Sequence, residues 1–284
     1  MINKIKKIMR EKTWLNKKAL LKPINILRHP LKYWKLKNNI YLIYTMGKVG
    51  SQTIFETIDQ QIKVAKIFHV HYLSSKHFEK NYTKKENIPR KIKKIWKLCK
   101  NPKNKIKIIT LTRDPVHKKV SGFFQNPDLY GFSEEQLPQL DSQTIIESLN
   151  KKRDTFYDAI NWFDKEFFEF TGIDIYSQEF DFENKKELIS RNNIDVLILR
   201  LEDLKSDKEI IMNNLKEFTG EPIFELINRN RTKNKSCKNI YKETLDLITF
   251  PDEFVDKMYD SKYCKHFYRQ TEIKNFKLKW MNIK

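Results

Sequence analysis

A run of uncharged β-formers, Ile40, Leu42, Ile43 and Tyr44, leads into the loop TMGKVGSQT and then into Ile54, Phe55, Ile58 and Ile62 at helical spacing. This order of strand, Gly-punctuated loop and amphipathic helix constrains the chain more than any other feature. A strand without charge is one covered on both faces, as in a parallel sheet. The spacing that follows predicts a helix beginning near Ser51 with one face packed on that sheet. Gly47 and Gly50 allow a tight turn and a close approach of backbone to ligand. The free N–H groups near Ser51, Gln52 and Thr53 fall at a helix N-terminus, where an anion is favoured. Lys48 adds a mobile positive charge. The stretch reads as a phosphate-gripping turn; the plain alternative is a Gly-containing turn with a solvated lysine.

It is not the loop of nucleoside triphosphatases, in which the lysine follows the second glycine and a hydroxyl stands beside it. Here Lys48 comes first. A second stretch, KIKIITLTRDPVHKKVSGFFQNP, repeats the architecture. Ile106, Ile108, Ile109 and Leu111 form a buried-type strand, Asp114 fits an N-cap, and Pro115 sits at a first helical position. Asn126-Pro127 is expected to end that helix. Arg113 thus projects from the C-terminal edge of a strand, where open parallel sheets bind ligands, and Ser121 lies two turns into the helix.

The order Lys48, Val49, Gly50, Ser51, Gln52, Thr53 resembles the 5′-phosphosulfate loop of sulfotransferases that use 3′-phosphoadenylyl sulfate (PAPS). Arg113-Asp114-Pro115 with Ser121 resembles their 3′-phosphate signature. WFDKEF, GIDIY, LILRLEDL and MYDSKYCKHFY further resemble bacterial sulfotransferase-like proteins of capsular polysaccharide synthesis. The resemblance spans roughly residues 40–267. It implies a P-loop hydrolase-like fold, PAPS as cosubstrate with 3′,5′-adenosine diphosphate (PAP) as product, no metal, and a glycan-like acceptor. Lys48, Gly50, Ser51, Gln52 and Thr53 would then hold the 5′-phosphate, with Arg113 and Ser121 on the 3′-phosphate. The family's base is a histidine after the second strand; VHYLS looks similar, which points to His71, with His69 or Glu79 in reserve. Ser74 and Val70 stand where that motif has proline and threonine. A late basic segment often covers the nucleotide, which draws attention to Lys233 and Lys235 in NRNRTKNKSCKNIY, otherwise a solvated loop.

The rest of the chain fits one large α/β domain. With 284 residues, 39% hydrophobic and 13% aromatic, it buries a sizeable core. The net charge of +20 favours anionic partners. Residues 1–38 form a basic extension with scattered apolar residues, suited to an anionic membrane surface at about 1 kcal/mol per Lys or Arg, or else a simple basic arm. Residues 39–284 form the single domain. The lysines of residues 74–104 read as the solvated side of a helix carrying Ile92, Ile95, Trp96 and Cys99, because the aromatic interleaving of a nucleic-acid groove is missing. His69 and His71 share a face of a second strand, 64–71, with no third metal ligand at a suitable spacing. Three cysteines without a CxxC pair, no apolar run long enough to span a bilayer, and no secretory signal indicate a cytoplasmic protein.

Downstream, the patterns predict helices over 141–150 and 156–170, an extended segment in GIDIYSQEF, and a buried strand over 195–201. A Ser206/Glu209 capping box is expected to open a helix that Gly220 closes. The fold class is therefore three-layer α/β/α with a central, mainly parallel sheet. The expected reaction is sulfuryl transfer from PAPS to a hydroxyl, or an amine, of a carbohydrate or glycolipid acceptor. The competitors are a nucleotide-dependent kinase on a related fold and a non-catalytic protein binding nucleic acid or membrane.

Overall fold

The computed structural model describes residues 39–62, 66–82, 85–227 and 237–281. The basic extension 1–38 and the segment carrying Lys233 and Lys235 lie outside the described residues. In chain order the elements are β1 (Asn39–Tyr44), α1 (Ser51–Gln61), β2 (Lys66–Val70), α2 (Ser75–Asn81), α3 (Arg90–Cys99), β3 (Lys105–Thr112), α4 (Pro115–Phe123) and α5 (Ser142–Lys151). They continue with α6 (Tyr157–Trp162), a π-helical turn (Phe163–Phe167), α7 (Phe168–Thr171), β4 (Glu187–Arg191) and β5 (Ile194–Arg200). Then follow α8 (Asp203–Ser206), α9 (Lys208–Thr219), α10 (Cys237–Leu247), α11 (Asp252–Tyr259), α12 (Lys262–Phe267) and α13 (Gln270–Trp280).

The sheet order is β2-β1-β3-β5-β4, with only β4 antiparallel, and helices flank it in a three-layer α/β/α sandwich. Every residue of β1 is buried, as its lack of charge requires. Ile54 and Ile58 of α1 and Ile108, Ile109 and Leu111 of β3 are fully buried beside it. Each such side chain contributes about 1.5–3 kcal/mol on removal from water.

The order of strands positions the site. The chain leaves β1 for β2 on one side, then crosses back to β3 on the other, so the connections diverge between β1 and β3. Open α/β sheets bind ligands in the crevice at that switch point. The two loops singled out in the sequence are the ones that leave β1 and β3 there.

Four local expectations are corrected. GIDIYSQEF is not extended: Asp174 accepts the Tyr176 N–H and folds Ile175–Ser177 into a 3₁₀ turn. The helix expected over 156–170 is interrupted by the π-helical turn. No capping box opens α9, because Ser206 closes α8 and Asp207 precedes α9 without a side-chain cap. The helix after Pro115 ends at Phe123, and Pro127 instead opens a separate 3₁₀ turn. Gly220 does close α9, at a φ of 71°.

Candidate active site

At the end of β1 the backbone turns left-handed twice, at Lys48 (φ 70°) and at Gly50 (φ 79°). A Cβ on Gly50 would lie 2.5 Å from Leu201 Cδ1, so glycine is required there on two counts. Gly47 meets no such limit. Gly50 precedes α1 without any side-chain cap. Thr53 donates its N–H to the Gly50 carbonyl, whereas the amides of Gly50, Ser51 and Gln52 find no partner among the described residues. Gln52 is turned toward Glu56, which accepts from its amide at 2.8 Å.

Lys48 has no ion-pair partner among the described residues, and burial, then the charge of Arg113, lowers its pKa. Arg113 reaches across from the end of β3 and donates from Nη1 to the Lys48 carbonyl at 2.9 Å. The two motifs, far apart in sequence, thus meet. Arg113 also has no carboxylate partner among the described residues. Lys118, one turn into α4, likewise makes no ion pair among the described residues. Burial, then Lys119, pulls it down to about 7 against the opposing charge of Asp158. Unpaired cations held close together are costly, and an anionic ligand removes that cost.

Both histidines after β1 contact this loop. His69 Nε2 and Ser51 Oγ share a hydrogen bond at 2.9 Å, and the ring stacks on Phe55. Burial, then His71, lowers its pKa to about 4, so it is neutral. His71 donates from Nδ1 to the Thr45 carbonyl at 2.7 Å, since a carbonyl can only accept. The neutral ring therefore carries its lone pair on Nε2. Burial keeps its pKa below the ordinary value. Glu79 lies apart from this edge: it lines a cavity of about 760 Å³ that also includes Phe78, Trp96, Ile106 and Phe170. That cavity runs from Leu73 and Ser75, after β2, to Ile106 and Ile194 at the N-terminal ends of β3 and β5.

The turn after β3 is held from outside. Asp114 accepts from the Val116 and His117 amides, from Tyr259 Oη at 2.5 Å and from Trp280 Nε1 at 3.2 Å. Tyr263 Oη accepts the Arg113 N–H and donates to the Arg113 carbonyl. The Asp114 N–H goes to Glu202, whose pKa burial raises to about 7. Ser121 Oγ pairs with Tyr241 Oη at 2.8 Å, and Tyr241 also meets His117 at 3.1 Å.

Sequence reasoning named Lys48, Gly50, Ser51, His71 and Arg113, and the fold gathers them at one edge. It missed Lys118 and the residues that support the turns: Tyr241, Glu202, Tyr259, Tyr263 and Trp280. Tyr259, Tyr263 and Phe267 recur at helical spacing, which was the available signal. It also missed Glu166, a buried carboxylate in the π-helical turn that accepts from Tyr44 Oη, the Leu73 and Ser74 amides and Ser74 Oγ.

Fold and crevice together define an α/β protein whose loops after β1 and β3 present cations and open amides, a donor set suited to an anionic ligand. The chain belongs to the sulfotransferase family: the sulfotransferase domain model matches residues 28–274. Its general reaction is sulfuryl transfer from PAPS. The match begins inside the stretch read as an extension. A search of curated proteins finds no match. Among the described residues no group of three or more His, Cys, Asp or Glu could hold a metal ion, and no helix is long and apolar enough to cross a membrane.

Proposed function

We propose that this chain transfers the sulfuryl group of PAPS to a hydroxyl of a carbohydrate-type acceptor, with Lys48, Arg113 and His71 as its working groups. The observation that carries this reading is the set of unpaired cations at the switch point, set beside the open amides of Gly50, Ser51 and Gln52. A bisphosphorylated nucleotide matches that donor set. The 5′-phosphate is assigned to the loop of Gly50, Ser51, Gln52 and Thr53, although the Thr53 amide is already used and its hydroxyl is what remains. The 3′-phosphate is assigned to Arg113 and to Ser121, the latter sharing its hydroxyl with Tyr241.

Sulfuryl transfer resembles phosphoryl transfer in asking for alignment and charge more than for covalent help. Lys48 stands where charge develops on the bridging oxygen as the phosphate leaves. His71 Nε2 accepts the acceptor's proton, with its tautomer fixed by Thr45. His69 is assigned to holding Ser51. The likeness to capsular polysaccharide proteins supports a glycan acceptor. We assign residues 39–284 to the catalytic domain and 1–38 to an arm suited to an anionic membrane surface. Incubation with sulfur-labelled PAPS and, separately, phosphorus-labelled ATP tests the reaction: label transferred from ATP alone makes the chain a kinase, and label from neither makes it a binding protein.

A further inference from the structure

The exposed aromatic surface beside His71 has no assigned role. Tyr72 is 44% exposed, and its ring lies parallel to His77 at 3.8 Å with 5° between the planes. One face of the phenol is thus covered by the imidazole. The backbone that carries this ring is tied down. Glu166 fixes the Leu73 and Ser74 amides, Trp96 Nε1 donates to the Leu73 carbonyl at 2.8 Å, and Ser74 Oγ accepts the His77 N–H at 3.2 Å as the cap of α2. Glu169 accepts the Lys76 N–H at 3.1 Å. The segment from His71 to His77 is therefore a preformed surface held by two carboxylates of the π-helical turn and α7.

We propose that the Tyr72–His77 pair is the acceptor platform, on which a pyranose ring stacks with its hydroxyl toward His71. This rests on the sulfuryl-transfer reading. A sugar ring presents C–H groups on one face, which pack on an aromatic ring, and hydroxyls around its edge, which need polar partners. Asp158 is a candidate partner for that edge: its charge acts on both Tyr72 and Lys118, and Lys118 acts in turn on His71, the residue next to Tyr72 in the chain. A flat phenolic acceptor would instead need apolar walls on both faces, and only one aromatic wall is present here among the described residues.

The test uses the full chain. Calorimetry with PAP first establishes that the nucleotide binds. Saturation-transfer NMR then follows cellobiose, lactose and chitobiose at millimolar concentration in the presence of PAP, with 2-naphthol as the flat competitor. We expect transfer to the C–H protons of one ring face of at least one disaccharide. Tyr72→Ala should abolish it, Tyr72→Phe should retain it, and His77→Ala should weaken it a few-fold, with PAP affinity within about twofold throughout. PAP binding without transfer to any disaccharide overturns the platform while leaving the sulfotransferase reading intact. So does transfer that survives Tyr72→Ala, or binding of 2-naphthol alone. If Tyr72→Ala fails to fold, His77→Ala decides, and unchanged transfer in it overturns the proposal. Absence of PAP binding in the wild type overturns both readings.

Discussion

The two strand–loop–helix units that meet at the switch point share a shape and differ in how they are finished. The unit after β1 is left open: its helix has no side-chain cap and, among the described residues, three of its amides lack partners and Lys48 makes no ion pair. The unit after β3 is closed: Asp114 accepts four hydrogen bonds, and the Arg113 peptide is gripped on both sides by Tyr263. An open loop stores unsatisfied donors that a ligand can use. A closed turn fixes the direction in which one guanidinium points. The first unit is expected to determine binding and rate, and the second to convert stability into orientation.

The largest expected effect falls on the open unit. Lys48→Ala should lower kcat by about two to three powers of ten, the usual cost of one donor aimed at developing charge. Its urea midpoint should equal or exceed that of the wild type, because the half-buried cation it removes makes no ion pair among the described residues. A rate within tenfold of wild type, or a clear fall in stability, would break the contrast. Asp114→Ala tests the closed unit in the opposite sense. Losing the cap and leaving Tyr259 and Trp280 unpaired should cost about 2–4 kcal/mol of stability, read from denaturation curves. A stable Asp114→Ala protein would mean that the C-terminal helices do not hold this turn.

The third effect is smaller and concerns the residue that joins the units. Charged hydrogen bonds contribute about 1.5–3 kcal/mol each, so Arg113→Ala should weaken PAP at least about tenfold in calorimetry. Binding of 5′-AMP, which lacks the 3′-phosphate, should change little. Equal losses for both nucleotides would assign Arg113 to bracing the Lys48 carbonyl alone. Tyr241→Phe, which frees Ser121, should shift PAP affinity less than Arg113→Ala does.

The same contrast explains what the sequence revealed. The open unit is self-contained within residues 40–62: uncharged strand, glycines and helical stripe are local signals, and Gly50 is fixed by local φ as well as by Leu201. The closed unit was legible only in part. Asp114 announced itself as a cap, but Tyr259, Tyr263 and Trp280 reach the turn from more than a hundred residues away, and the four-residue spacing of Tyr259 and Tyr263 does not name the turn they meet. The antiparallel edge strand β4 escaped for a related reason. Its buried Glu187 pairs with His266 while Leu188 faces solvent, which reverses the usual alternation. Glu166 was hidden inside an aromatic stripe that reads as an ordinary helix, because a π-helical turn shifts which residues face inward.

The smallest effect tests how the open unit is tethered, through His69. Burial holds its pKa to about 4 in the folded chain, against about 6.5 when unfolded. Between these values the unfolded chain binds more protons, so stability rises with pH; His69's contribution is complete above about 6.5 and is lost as pH falls toward about 4. From pH 7.5 to pH 5 the full shift corresponds to roughly 2 kcal/mol, and partial exposure of the ring reduces this to about 1 kcal/mol. His69→Gln keeps an amide for Ser51 but removes the titration. Urea curves at the two pH values should therefore show the wild type losing about 1 kcal/mol more than the variant. His117, held to about 2 by burial and then by Arg113, is present in both proteins and drops out of the difference. Equal losses would mean that His69 titrates freely in the folded chain, and that the loop after β1 is set by Gly50 and Leu201 without help from its histidine.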